Sequence, residues 1–551
     1  MKKVFPIMSF LWFVCAVGCC AYYIWSDLII VETHADALDN IMWAQASYES
    51  GSIFNVEYTY PYLIPFGGHL LMVPFIKIFG FGMLPVRLGM SIFTLALTIT
   101  MLFFFKLFLD NWTEIFFYEG ILLFFMNGTS KLREIFFAHV LHYSLAIVFF
   151  LLAFCLLKYF YIFRKQKLKV TLITILLFLN AMIAGIDGPT VVLFSMVPFI
   201  GGIIWDFLFT EKKLKEIKFF EYIPLLGTVL GTGLGMIIYK LISVGHITKY
   251  GDEIMQYNLY SEWINNIFSI PTQWFSLFVK MFSYNEIYVD LFGKNGVLYT
   301  FKIILALVLC GVTIASFFVL KYFEEPLEKK LVVSHWIMTF VTIYFYMFGK
   351  ISNVEWRMIP MWFTTIIVAI LMLKHMRKSC LLSLQRIAML GMFLLCANAM
   401  INGLLVINRN TDTSLWYGEN TIIDILTENN LEYGYCTDAC LSNSVSVLTE
   451  DKIKCREVYI YQEEVGYKNY QNNRNWYADQ EGISVYFLIC SKGQLERNPG
   501  LADEAIEIYE GSQYNWREQY VYDFVVLVYE ENIISNKYSG VDMWSLEDFT
   551  Y

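Results

Sequence analysis

The sequence predicts an α-helical polytopic membrane protein of about eleven transmembrane helices, followed by a C-terminal extracytoplasmic α/β domain. Three observations lead there. Hydrophobic residues make up 57% of the chain and charged residues only 16%, whereas soluble domains carry about a quarter charged residues. Apolar runs near or above the ~20 residues that cross a bilayer recur as far as residue 407. Beyond that point the composition turns polar and acidic.

The expected spans are 5–30, 82–108, 112–127, 138–163, 170–186, 190–208, 222–245, 297–322, 331–349, 360–374 and 383–407, with a large first outer loop at 31–81. Those at 112–127, 170–186 and 360–374 are short. Lysine and arginine favour the cytoplasmic ends of short loops. Lys2 and Lys3, Arg164/Lys165/Lys167/Lys169, Lys212/Lys213/Lys215/Lys218, Lys329/Lys330 and Lys374/Arg377/Lys378 all fall on one side of these spans. That side is the cytoplasm, with the N-terminus inside and a multi-pass chain in the cytoplasmic membrane. The first apolar run is longer than a signal-peptide core and lacks a small-x-small cleavage site, so it reads as an uncleaved anchor.

Residues 1–407 form the membrane domain and 408–551 the outer one. The latter holds 25 Asp and Glu against 10 Lys and Arg. Its runs "GISVYFLIC" and "YVYDFVVLVY" are rich in β-branched and aromatic residues, as buried strands are. Of the 11 cysteines, Cys436, Cys440, Cys455 and Cys490 lie here, where an oxidising compartment permits disulfides. Their spacing lacks the paired pattern of a zinc site.

Charge is costly in a bilayer, so ionisable residues at the outer helix ends mark candidate sites. In "ETHADALDNIMWAQASYESG", Asp36 and Asp39 are three apart and share one side of a helix over 35–50, with Trp43 and Ser47 continuing the stripe. Asp39 also suits the cap of an interfacial helix. "SKLREIFFAHVLHYS" places Lys131, Arg133 and Glu134 just outside the fourth span and His139 and His142 on one face of its outer end. A histidine in a membrane helix is more often a hydrogen-bonded packing residue than a ligand. "AGIDGPTVV" puts Asp187 at the apex of a tight turn that Gly185, Gly188 and Pro189 explain without it. "GKISNVEWRMIPMW" supplies Glu355 and Arg357. Arg357 suits either lipid headgroup anchoring or a bidentate grip on a lipid-linked phosphate.

The order of these features resembles the C-type (GT-C) membrane glycosyltransferases, which take a sugar from a polyprenyl phosphate, and among them the aminoarabinose transferase and protein O-mannosyltransferase branch. That branch has a first-loop Asp-Glu-x-Arg-Tyr motif running on to Ser-Gly. "DALDNIMWAQASYESG" sets Asp36 on its Asp and Ser50-Gly51 on its Ser-Gly without a gap. "IPFGGHLLMVPFIKIFG" followed by "VRLGMSIF" is similar to its Lys-Pro-Pro loop, Phe-Gly and Arg-Leu helix start, through Pro65, Gly80 and Arg87. "GIDGPT" resembles its Thr-Lys-Gly-Pro turn and "WRMIP" its Arg-Tyr-x-x-Pro, while "LEYGYCTDACLSNSVSVLTEDKIKCREV" looks like the Gly-Tyr segment that opens the outer domain of many bacterial members. The departures are specific. The motif's Glu is Ala37, its Arg is Asp39, and the lysines of the Lys-Pro-Pro loop and the Gly-Pro turn are Ile64 and Asp187. Two cations that would neutralise a lipid phosphate are therefore missing.

The resemblance implies Asp36 as the catalytic base of an inverting transfer, with Asp39, His69, Arg133 and Arg357 binding substrate. Two ways of holding the leaving phosphate stay open. Arg357, with Arg133 or Lys131, binds it directly, or Asp36, Asp187, His139 and His142 hold a divalent cation, manganese or magnesium, that bridges to it. The implied partners are a polyprenyl-phosphate sugar donor, membrane lipids and a glycan, lipid or protein acceptor of the cell envelope. Trp416, Trp476, Trp516 and Trp544 are candidates for stacking on acceptor sugars, although core packing explains most tryptophans. The competing readings are a transporter or flippase, which internal repeats of spans would favour and the chain does not show, and a non-catalytic assembly protein on the same scaffold.

Overall fold

The structure, a computed structural model, describes residues 4–32, 35–209, 219–246, 256–282, 290–323, 325–350, 355–409, 417–468, 470–515, 520–535, 537 and 539–540. Lys2, Lys3, Lys212, Lys213, Lys215, Lys218, Trp416, Trp516 and Trp544 lie outside the described residues, as does the side chain of Glu355. The chain divides into two compact units, the first of residues 1–24, 91–244 and 252–409, the second of 25–90, 245–251 and 410–551.

Among the described residues, seventeen α-helices precede the C-terminal domain. They are α1 (Val4–Trp25), α2 (Leu28–Val31), α3 (Ala35–Ser50), α4 (Gly68–Phe79), α5 (Met83–Phe105), α6 (Trp112–Met126), α7 (Ser130–Phe137), α8 (His142–Ile162), α9 (Lys167–Ile186), α10 (Pro189–Phe194), α11 (Met196–Phe209), α12 (Phe219–Ser243), α13 (Tyr260–Phe282), α14 (Lys294–Val319), α15 (Pro326–Phe348), α16 (Ile359–Lys378) and α17 (Leu382–Ile407). Among the described residues, 10 segments are long and apolar enough to cross a membrane: α1, α5, α8, α9, α10 with α11, α12, α14, α15, α16 and α17. The protein is a multi-pass membrane protein. The expected short spans at 170–186 and 360–374 lengthen to Lys167–Ile186 and Trp356–Lys378.

The third expected span behaves differently. α6 has 15 residues and at 1.5 Å per residue reaches only about 22 Å. Its start is tied to the end of α16 by the Arg377–Glu114 ion pair, and beyond its last turn Gly128 lies against Asn402, near the far end of α17. It therefore runs between the same two ends as the long spans, with nearly every residue from Ile115 to Met126 buried.

Three ion pairs gather at one end of the first unit. Lys330 pairs with Asp206 at 2.5 Å, Lys158 with Glu325 at 3.6 Å, and Lys374 with Glu328 at 2.8 Å while also donating to the Phe108 carbonyl at 2.7 Å. These contacts bring the ends of α5, α8, α11, α15 and α16 to one end of the first unit.

The closest helix pair in this unit is α9 with α12. In "GTVLGTGLGMIIYK" Gly227, Gly231 and Gly235 recur every four residues and lie on one face. A Cβ at Gly231 would meet the Phe178 carbonyl, and one at Gly235 the Met182 carbonyl and Gly185. Small residues let membrane helices approach to backbone contact. Gly235→Val is expected to force the pair apart and lower the thermal unfolding midpoint in detergent, whereas the same change at Gly233, which faces open space, should leave it near wild type.

In the second unit, α18 (Tyr417–Glu428), β1 (Tyr433–Cys436), α19 (Ala439–Leu448), β2 (Lys454–Tyr461), β3 (Glu464–Tyr467), β4 (Tyr486–Ser491), α20 (Lys492–Arg497), β5 (Ile506–Asn515) and β6 (Tyr520–Tyr529) form the C-terminal domain. The six strands are ordered β3-β2-β1-β4-β6-β5. β1 is parallel to β2 and β4, and the remaining pairs are antiparallel. "YVYDFVVLVY" is β6 and "GISVYFLIC" leads into β4, in accord with the sequence expectation. Phe487 and Ile489 alternate onto the face that packs Ile422, Leu426, Leu441 and Val445, as the two-residue strand period dictates. Of the four cysteines expected in an oxidising compartment, Cys436, Cys455 and Cys490 are buried free thiols.

Candidate functional site

The candidate residues fall into two groups, one in each unit. In the second unit, α3 presents Asp36 exposed in its first turn and buries Asp39 one turn later. The two carboxylates thus differ in environment, although three-residue spacing places them on one side. Burial, and after it the Asp39 carboxylate, holds the Tyr58 phenol well above its ordinary range.

What fixes α3 is a set of contacts that span more than 400 residues of sequence. Residues 57–59 run beside 471–474, through Thr59 N to the Asn472 carbonyl at 3.0 Å, Gln471 N to the Thr59 carbonyl at 2.8 Å and Arg474 N to the Glu57 carbonyl at 2.9 Å. The Tyr58 hydroxyl donates to the Gln471 carbonyl at 2.8 Å. Glu49, near the end of α3, accepts from the Trp476 indole at 3.0 Å and from Asn473 at 3.2 Å. Beneath that indole lies the buried Arg456 guanidinium, 4.2 Å from the ring centroid. Trp476 is therefore a structural clamp in this unit.

His69 on α4 is fully buried against Trp43 and Phe54, with ring centroids 6.0 and 5.7 Å away. Burial lowers its imidazole to about 4, so it is neutral near pH 7. Neither ring nitrogen has a hydrogen-bond partner among the described residues, and the same holds for the amide of buried Asn40 on α3.

In the first unit the site is built on α7 and its flanks. Thr129 caps α7 by accepting from Leu132 N at 3.1 Å. Arg133 is buried, donates to the Asn127 carbonyl at 2.6 Å and lies over the Tyr23 ring. Lys131 pairs with Glu134 at 2.7 Å and covers the Trp356 ring at 4.5 Å. Glu134 in turn stands 3.7 Å from His139. The chain leaves the helix at Ala138 and α8 begins only at His142. His139 and His142 therefore do not share a helical face, as an unbroken helix over 138–163 would have required; the break follows from Glu134 accepting from both Ala138 N and His139 N. His142 nevertheless has His139 and Arg357 as electrostatic neighbours, and Arg357 sits beside the Tyr143 hydroxyl.

Asp187 caps the end of α9 and is buried. The turn after it uses Gly188 at φ +95°, which a side chain would strain, and Pro189 as the first residue of α10. Among the described residues, no three His, Cys, Asp or Glu side chains stand at metal-binding spacing.

Sequence reasoning missed Lys302. It is buried in α14 with Arg133 and Arg409 as electrostatic neighbours, which makes a cationic group of residues far apart in the chain. The signal was present, since a lysine inside "VLYTFKIILALVL" is an ionisable residue within a span.

No family model and no curated protein sequence matches the chain. Among solved structures, the crystal structure of ArnT from Cupriavidus metallidurans in the apo state aligns with a TM-score of 0.50 at 10% identity, covering 95% of this chain and 98% of that one. The fold is that of ArnT. A second crystal structure, ArnT from Cupriavidus metallidurans bound to undecaprenyl phosphate, aligns with a TM-score of 0.49 at 10% identity over 96% of this chain and 99% of that one. The likeness to ArnT in the apo state covers nearly the whole of both chains and is one of fold.

Proposed function

We propose that the chain is a membrane glycosyltransferase that moves a sugar from a polyprenyl-phosphate donor to a hydroxyl of a glycan, lipid or protein on the outer face of the cytoplasmic membrane. The observation that carries this reading is the likeness of fold to ArnT over nearly the whole chain; the first unit adds the buried cations Arg133 and Lys302, with Arg409 as a further electrostatic neighbour of Lys302 and Arg357 as one of His142 and Tyr143. Guanidinium groups match phosphate oxygens in pairs and an ammonium adds a point charge. The group supplies from other positions the charge lost at Ile64 and Asp187.

In this reaction Asp36 accepts the proton of the acceptor hydroxyl while its oxygen bonds to the anomeric carbon. The bond from that carbon to the phosphate oxygen breaks, and polyprenyl phosphate leaves with the electron pair on the opposite face, which inverts the centre. Arg133, Lys302 and Arg357 hold the charge that develops on the leaving phosphate. Asp39 and His69 belong to the sugar-binding side in this scheme. A divalent cation on Asp187 with His139 or His142 is the second way to stabilise the phosphate, and the residues observed favour the cationic one.

The test is transfer from a panel of radiolabelled polyprenyl-phosphate sugars, hexoses and aminoarabinose included, in membranes containing the wild-type chain, with and without EDTA. Label is expected to pass to an acceptor fraction at a rate that EDTA leaves unchanged. Loss of transfer in EDTA that manganese or magnesium restores would move the phosphate role to the metal. Silence with every donor from well-folded protein would remove the transferase reading.

A further inference from the structure

The 23-residue helix α13 is not among the segments apolar enough to cross a membrane, yet it exposes large hydrophobic side chains. One side of it is packed and hydrogen-bonded. Asn266 donates to the Tyr346 and Met347 carbonyls at 3.4 and 3.3 Å, Ser269 and Tyr346 share a hydroxyl contact of 2.7 Å, and the Trp274 indole donates to the Cys310 carbonyl at 3.3 Å. Leu277, Phe278 and Met281 are buried on this side. Asn266 and Ser269 thus turn toward α15 and the Trp274 indole toward α14.

The exposed surface is split by character. Ile264, Ile267, Phe268 and Phe275 follow the i, i+3, i+4, i+11 spacing of a single helical face, and all four are exposed, Phe268 by 80%. Glu262, Asn265 and Thr272 are exposed on the adjoining flank. The apolar stripe holds no ionisable residue. It belongs to a helix packed on α14 and α15, membrane-crossing segments that themselves expose Ile303, Ile304, Leu307 and Phe340.

We propose that α13 is an in-plane membrane anchor, its Ile264/Ile267/Phe268/Phe275 stripe buried in the acyl chains of the leaflet at which α15 ends, and its Glu262/Asn265/Thr272 flank in water. The outward side of α13 carries Ile264, Ile267, Phe268 and Phe275 where a water-exposed helix would carry polar residues, while the Asn266 amide turns inward. The occupant of the stripe is phospholipid hydrocarbon, continuous with the layer around α14 and α15. A helix divided lengthwise into apolar and polar flanks is the form that lies in a membrane interface.

The test places p-benzoyl-phenylalanine singly at 268, 275, 265 or 272 in the full chain, reconstituted in phosphatidylethanolamine and phosphatidylglycerol vesicles and irradiated. Mass spectrometry of the labelled peptide should find phospholipid adducts at 268 and 275 at least about tenfold above those at 265 and 272. Equal yields at all four positions would overturn the proposal. So would adducts at 268 and 275 to another protein segment, which would make the stripe a protein interface. Position 264 replaces 268 if that variant does not elute as the native protein does, and its expected outcome is the same.

Discussion

Asp36→Asn is expected to reduce sugar transfer by about 10²–10⁴-fold, the range that a positioned general base contributes. The fold should survive. Asp36 is exposed in the first turn of α3, where losing a negative charge costs only about 0.3–1 kcal/mol against the helix dipole. Asp36→Glu, which keeps a carboxylate on a longer side chain, should retain measurable transfer at a lower rate, whereas Asp36→Asn should not. If Asp36→Asn transfers at the wild-type rate, the base is another residue, and buried Asp39 is the next to examine.

The second large effect concerns stability. Glu328 is fully buried, accepts from Lys374 at 2.8 Å and stands 2.8 Å from His375 Nε2. Lys374 also holds the Phe108 carbonyl, so one buried group ties α15, α16 and the end of α5 together. Removing one partner of a buried ion pair typically costs 3–5 kcal/mol, because the remaining charge is left in a low-dielectric place. Glu328→Gln should therefore lower the melting temperature in detergent sharply, while the double change Glu328→Leu with Lys374→Met should recover much of the loss. A Glu328→Gln protein that melts with wild type would show that water reaches this end of the bundle and that the pair is only superficial.

The spans were readable because lipid imposes one local condition, about 20 apolar residues closed on their own backbone hydrogen bonds. α6 met it least well, its 15 residues being enclosed by neighbours rather than by lipid. α13 was not readable. Its apolar residues form a stripe broken by Asn265, Asn266, Ser269 and Gln273, which lowers the mean hydropathy while leaving a continuous hydrophobic flank.

The site was legible in part. Asp36, Arg133, His139, His142 and Arg357 stood out as candidates because charge and imidazole are conspicuous at the ends of apolar runs. The periodicity that paired Asp36 with Asp39 carried no information on which of them would be buried, and the pairing of His139 with His142 assumed a helix that the chain interrupts. Lys302 was hidden by its apolar surroundings. The joining of 57–59 to 471–474 leaves no trace in either segment.

By itself the sequence determined that the protein is a multi-pass membrane chain with a C-terminal α/β domain, since chain length in hydrocarbon and period in a strand are properties of consecutive residues. Tertiary structure alone decided which cations assemble around Lys302, that Asp39 is buried while Asp36 is exposed, and that the first loop packs with the C-terminal sheet in one unit. Those outcomes depend on side chains hundreds of positions apart, whose meeting is set by packing of whole elements and by nothing in their local sequence.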